Sequence, residues 1–286
     1  MMYPANFEYF RAASVEEAVA LLHRHDDAKV LAGGHSLLPI MKLRLAEPQA
    51  VIDIGHIHIL RGISHGGDSV RVGALTTHAE IAASDTLQQH CPLLAEAAGH
   101  IGDVQVRNKG TIGGNIAHAD PASDLPAVLV VLGATVHLSG PEGERSVAAA
   151  VFFTGLLETA MGEDEILTAI DVPSSGPGAA YLKFEHPASG YAICGAAAVV
   201  RRRGVVGHEA HLCFNGVTET PHHATGVSSA IAGSSLSDED IDRAVDENLQ
   251  IDEPLGDIQA SGEYRVALAK AYGKRALKQA RDREQG

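Results

Sequence analysis

Ala32-Gly33-Gly34-His35-Ser36 and Thr111-Ile112-Gly113-Gly114-Asn115 are the two stretches whose reading decides the fold. Glycine adopts left-handed backbone conformations and lets a ligand approach the main chain, so each turn can present N–H groups as a nest for an anion. His35, Ser36, Thr111 and Asn115 add side-chain hydrogen-bonding groups. Either turn alone is also compatible with an ordinary loop. The pair, framed by Val30-Leu31-Ala32 and by Thr111-Ile112, points to a dinucleotide held at its diphosphate.

Composition bounds the rest. A chain of 286 residues has room for two or three domains, and 45% hydrophobic with 20% charged residues reads as globular and loop-rich, not disordered. Acidic residues outnumber Lys plus Arg by 36 to 22, and a formal charge of −14 repels nucleic acids and anionic membranes. Such a chain must hold a diphosphate locally, through backbone dipoles and a few hydrogen bonds. Cys91, Cys194 and Cys213 are far apart without C-x-x-C spacing, so no iron–sulfur cluster is expected here and a reducing, cytoplasmic setting is. The first residues lack the basic and apolar regions of a signal peptide, and no apolar run reaches roughly 18 residues, so no membrane span is expected.

Three units are expected, at residues 1–55, 56–176 and 177–286. In the first, Ser14-Val15-Glu16-Glu17 reads as a capping box opening a helix, with strands at Lys29–Ala32 and Ala50–Ile54. In the second, a strand at Val70–Ala74, a helix capped by Thr77 and another over Pro92–Ala98 precede two buried apolar segments, Ala127–Leu132 and Ala134–Leu138. Pro173-Ser174-Ser175-Gly176-Pro177-Gly178 reads as the linker. Beyond it, Ala196–Val200 and Ala210–Phe214 read as strands, and the basic residues of a helix over 263–280 as a solvated or partner-facing surface.

No Rossmann, P-loop or nucleophile-elbow glycine pattern is present. The His56/His58 and His222/His223 pairs lack nearby ligands at metal-site spacing, which favours structural or exposed histidines. The two glycine motifs, with Leu37-Leu38-Pro39, Lys42 and Arg44 after the first and Asp120-Pro121 and Asp124-Leu125-Pro126 after the second, resemble those of one family. It is that of the medium, FAD-binding subunits of carbon monoxide dehydrogenase, xanthine dehydrogenase and related molybdenum hydroxylases. The likeness runs over nearly the whole chain.

The resemblance implies an α+β chain, with a two-subdomain FAD-binding fold of the PCMH type followed by a smaller C-terminal α+β domain of the carbon monoxide dehydrogenase flavoprotein type. It implies non-covalent FAD contacted by Ala32, Gly33, Gly34, His35, Ser36, Thr111, Ile112, Gly113, Gly114 and Asn115. Asp124 would bond the ribose or adenine side, or else cap a helix starting near Leu125. Leu167, Lys183 and Tyr191 align with residues near the flavin ring; their plainer readings are core, surface charge and packed aromatic. A large molybdopterin subunit and a small [2Fe-2S] subunit would pass electrons through FAD to an external acceptor, in an oxidoreductase such as an aerobic carbon monoxide dehydrogenase. A self-contained FAD-dependent oxidoreductase and a non-catalytic binding or assembly protein are the competing readings.

Overall fold

The computed structural model describes residues 3–203 and 207–285. The chain begins with β1 (Glu8–Arg11), α1 (Val15–Arg24), β2 (Ala28–Leu31), α2 (Leu37–Lys42) and β3 (Ala50–Asp53). The strands form a parallel sheet in the order β1-β3-β2. Central β3 is fully buried at Ala50, Val51 and Ile52, as a parallel strand covered on both faces requires. Ser14 caps α1 by accepting the Glu17 N–H at 3.2 Å. The Glu17 carboxylate, however, takes the N–H of Ala13 at 2.7 Å instead of that of Ser14, so the expected box closes one residue early. The first glycine loop leaves the carboxyl end of β2, where parallel sheets gather their ligands.

The second unit opens with β4 (Ile63–Gly66) and β5 (Ser69–Gly73). Six helices follow: α3 (His78–Ala82), α4 (Asp85–His90), α5 (Pro92–Gly99), α6 (Val104–Lys109), α7 (Ile112–His118) and α8 (Leu125–Leu132). Then come β6 (Thr135–Gly140), β7 (Gly143–Ala148), α9 (Ala149–Phe152), the small hairpin of β8 (Phe153–Gly155) and β9 (Glu158–Thr159), and β10 (Ile166–Pro173). An antiparallel sheet runs β4-β5-β10-β6-β7. Thr77 completes a capping box with Glu80 at the start of α3. All eight residues of α8 are buried, so its sequence is apolar on every side, and it stops where Gly133 takes φ +71°.

The third unit is β11 (Ala179–Glu185), β12 (Ala192–Arg203), β13 (Gly207–Asn215), β14 (His222–His223), α10 (Thr225–Ile231), α11 (Asp238–Asn248) and α12 (Gly262–Gln285). Its antiparallel sheet is covered twice. Ala196, Ala198, Leu212 and Phe214 join the core beneath α12, while Tyr181, Ala197, Val199 and Cys213 join the core of the second unit. Burial on both faces explains the unbroken Ala-Ala-Ala-Val-Val run.

The basic residues of α12 differ from the solvated face expected. Lys274, Lys278 and Arg281 pair with Asp246, Asp242 and Asp238 on α11 at 2.7, 2.9 and 2.7 Å. Arg283 reaches Glu96 on α5 with two bonds of 2.7 and 2.9 Å. The acidic helix α11, more than twenty residues upstream, supplies the first three partners, and α5 the fourth, which the spacing within α12 cannot reveal.

Candidate functional site

A cavity of about 670 Å³ lies where the first and second units meet, with residues 189–191 of the third closing one side. That volume falls within the range of about 300–1,000 Å³ typical of cofactor sites. Ala32 to Ser36 form part of its wall, opposed by Thr111, Gly113, Gly114 and Asn115, and Asp124, Leu167 and Tyr191 line it as well.

The two glycine loops do different work. In the first, the backbone N–H groups of Gly33, Gly34, His35 and Ser36 donate no hydrogen bond among the described residues. The Ser36 hydroxyl makes no capping bond to α2 either. Gly34 turns the chain with φ +73°, where a side chain would also meet Leu31 and Leu38. Four N–H groups in this loop are therefore left for a ligand, as an anion nest requires.

The second loop does not form the nest expected of it, because its N–H groups are already used. Ile112 donates to Thr76 at 3.0 Å, Gly113 to Ala74 at 2.8 Å, and Asn115 to Thr111 at 3.0 Å. Gly114 donates to the Thr111 hydroxyl at 3.2 Å. The segment is the first turn of α7, and what it offers is space. Gly113 packs so closely that a Cβ would stand 2.6 Å from that of Ala74. Gly114 is exposed to the cleft, and a Cβ there would come 3.9 Å from that of Ala32 across it. Asn115 is held by a 2.8 Å bond from the Ser123 hydroxyl to its Oδ1, which leaves its amide N–H groups for a ligand.

Ile112 and Lys183 stand apart from the other twelve residues singled out in the sequence. Ile112 is fully buried in the core of the second unit. The Lys183 side chain is 2% exposed and lies behind the cavity wall, donating to the carbonyls of His100 and Gly190 at 2.6 and 2.8 Å. It is neither a surface charge nor a cavity-lining group. Its third partner is Asp124, 3.2 Å from the nearer carboxylate oxygen.

Asp124 also accepts the Tyr181 hydroxyl at 2.6 Å. Burial raises the pKa of its carboxyl, against the opposing pull of Lys183 and Tyr181. Although Asp124 stands at the head of α8, its side chain makes no capping bond. Asn215 of β13 supplies the cap instead, accepting the Ala127 N–H at 2.9 Å and donating to the Asp124 carbonyl at 3.0 Å. Tyr191, half exposed at the end of the segment that Lys183 anchors, has its phenol pKa raised by burial and by Asp120 and Asp124.

Nothing in the sequence marks His78, the first residue of α3, as part of the site. It lines the same cavity at 3% exposure, and burial, with His35 nearby, lowers its pKa to about 4. A histidine kept neutral in the fold but free to protonate when unfolded makes stability rise with pH between about 4 and 6.5. FAD-free protein should therefore lose on the order of 1 kcal/mol between pH 7 and 5.5 through this group. Urea midpoints at the two pH values check this: His78→Phe should show the smaller drop, and an equal drop in both proteins refutes it.

Among the described residues no group of three or more His, Cys, Asp or Glu is placed to hold a metal ion. The cysteines are buried singly, with Cys91 pushed up to about 11 and Cys194 to about 12 by burial. No helix among the described residues is long and apolar enough to cross a membrane.

Comparison with known proteins agrees with the geometry. Residues 5–175 match the family described as the FAD binding domain in molybdopterin dehydrogenase, and residues 179–280 the CO dehydrogenase flavoprotein C-terminal domain. The carbon monoxide dehydrogenase medium chain of Hydrogenophaga pseudoflava is 42% identical over 96% of this chain and 97% of its own. The glyceraldehyde dehydrogenase medium chain of Sulfolobus acidocaldarius is 38% identical over 97% and 99%. A solved carbon monoxide dehydrogenase from Hydrogenophaga pseudoflava contains a chain that superposes with a TM-score of 0.94, covering 99% of each. With four unbonded N–H groups facing a cleft of cofactor size, the residues present fit a dinucleotide. The chain belongs to the family of FAD-binding medium subunits of molybdenum hydroxylase complexes.

Proposed function

We propose that this chain is the electron-exit subunit of its complex, holding FAD along the cavity with the diphosphate against the Gly33–Ser36 nest. The observation that carries this placement is the row of four unbonded backbone N–H groups opposite the exposed face of Gly114. When bound, FAD supplies the redox chemistry, exchanging electrons between a donor centre and an acceptor. The protein's part is to bind, orient and exclude water. Ser36 and Asn115 add side-chain hydrogen bonds, Asp124 presents a carboxylate to the ribose or adenine side, and Leu167 and Tyr191 face the flavin ring. Thr111 keeps the Gly114 turn in place.

A large molybdopterin subunit and a small [2Fe-2S] subunit are the partners this reading assigns, with an external acceptor beyond them. The donor set supports that division, since the three cysteines are buried apart. Relatives named for carbon monoxide and for glyceraldehyde are 42% and 38% identical to this chain. Carbon monoxide is the substrate we assign, from the relative with the higher identity.

Purification from the native host tests the whole reading. Three copurifying subunits with molybdenum, iron and FAD, and dye reduction driven by carbon monoxide, are the expected result. A lone polypeptide without metals that oxidises a small organic substrate overturns the relay. A three-subunit complex active on glyceraldehyde but not carbon monoxide overturns only the substrate.

A further inference from the structure

The turn of the β8–β9 hairpin breaks two local rules at one residue. Gly155 pairs with Glu158, so Leu156 and Leu157 form the turn, where glycine and polar residues ordinarily stand. Leu157 takes φ +58°, a left-handed conformation that glycine or asparagine adopts readily and leucine only at a cost. Its surface is also 51% exposed. A strained backbone and an apolar side chain left in water, in the same residue, point to a contact with something other than this chain.

The surroundings say what that contact is. Leu157 lines the cavity, whereas Leu156 does not. The strand that follows is pinned from below. Arg145 bonds the Ala160 carbonyl at 2.7 Å and grips Glu165, whose carboxylate also accepts the Gly162 N–H at 2.6 Å. Asp164 in the same loop reaches His23 of α1 at 2.8 Å. The hairpin and its loop therefore stand on the side of the cavity walled by α1 and β2, which Leu22, Lys29 and Val30 line as well. Tyr191 belongs to another side, since a Cβ on its neighbour Gly190 would come 3.7 Å from Gly102 Cα, between α5 and α6.

FAD carries two planar rings, one on either side of its diphosphate. With the diphosphate at the Gly33–Ser36 loop and the flavin ring facing Tyr191, the adenine falls to the α1–β2 side. Apart from Tyr191, no Phe, Tyr or Trp among the described residues lines the cavity, so an adenine there must be covered by aliphatic side chains.

We propose that Leu157 is a further cofactor-binding residue, its side chain packing on the adenine ring of FAD and its left-handed backbone turning that side chain toward the ring. This rests on the placement of FAD along the cavity given above. Covering the exposed half of a leucine is worth about five- to tenfold in affinity.

Binding and folding should respond in opposite directions to Leu157→Gly, which removes the side chain and relieves the backbone. The full-length protein stripped of flavin should melt at the wild-type temperature or higher. Its FAD affinity should fall about five- to tenfold, titrated by flavin fluorescence together with its partner subunits where these copurify. Leu157→Met retains a long apolar side chain and should keep most of the affinity. Leu156→Ala alters the turn outside the cavity and should bind FAD as wild type does. FMN, which lacks the adenosine, should bind wild type and Leu157→Gly alike. An equal loss of FAD in Leu156→Ala, or an equal loss of FMN in Leu157→Gly, overturns the proposal. So does a lower melting temperature of flavin-free Leu157→Gly, since the side chain then supports the fold itself. If Leu157→Gly and Gly114→Val both leave FAD affinity unchanged, the placement of FAD fails too; if Gly114→Val weakens binding while Leu157→Gly matches wild type, only the role of Leu157 is lost.

Discussion

Replacing Gly114 with valine is expected to strip the protein of flavin while leaving it folded. The new Cβ would lie 3.0 Å from the Thr111 hydroxyl and 3.9 Å from Ala32 Cβ, and the two methyl groups beyond it would fill the gap between the loops. Overpacking of this kind costs about 1–3 kcal/mol, which as an affinity loss is about 5- to 150-fold. Flavin absorbance per chain after gel filtration should drop accordingly, with the FAD-free melting temperature within a few degrees of wild type. Flavin content equal to wild type refutes the cradle. Gly33→Ala is the contrasting variant: its Cβ would overlap the Lys109 carbonyl with or without ligand, so it should lower the melting temperature of the FAD-free protein too.

Lys183→Met should produce the largest loss of stability of any single change at the site. It removes the cation from a carboxylate that is 5% exposed and leaves the His100 and Gly190 carbonyls without their donor. Breaking one partner of a buried pair costs about 3–5 kcal/mol. The pH dependence identifies the cause. Without Lys183, Asp124 in the fold holds its proton to higher pH than in the unfolded chain, so the native state binds more protons and stability falls as pH rises through that window. Urea midpoints of wild type and variant should therefore converge toward pH 5 and diverge toward pH 8. A constant difference across that range means that lost packing, and not the stranded charge, is responsible. Asp124→Leu combined with Lys183→Met should recover part of the loss.

Local chemistry made much of the fold legible. Ser14 and Thr77 start helices because each lies three residues before a backbone N–H in need of a partner, a relation contained within one turn. The strand at Val70–Val72 and the buried run of α8 follow from side-chain polarity alone. Elsewhere the pattern was ambiguous for a physical reason. Apolarity on every side shows that a segment is buried, but not by what, and α8 proved to be a helix wedged between two sheets.

The two glycine loops were evident in the sequence because glycine pairs with polar followers are a local property of the chain. Which of their N–H groups are free was not, since Thr76 and Ala74, which occupy those of Ile112 and Gly113, lie more than thirty residues upstream. The same holds for Lys183, whose burial depends on His100, Asp124 and Gly190 converging on it, and for Asn215, which caps a helix 88 residues away. His78 is polar and follows a helix cap, so nothing in its neighbourhood marks it as buried. By itself the sequence determined the family and its cofactor, because the paired glycine motifs that carry them follow from residue type and short spacing. Only the tertiary structure decided that the N–H groups of one loop are left unbonded and those of the other are used, because hydrogen-bond availability and desolvation are set by groups that meet only after the chain has folded.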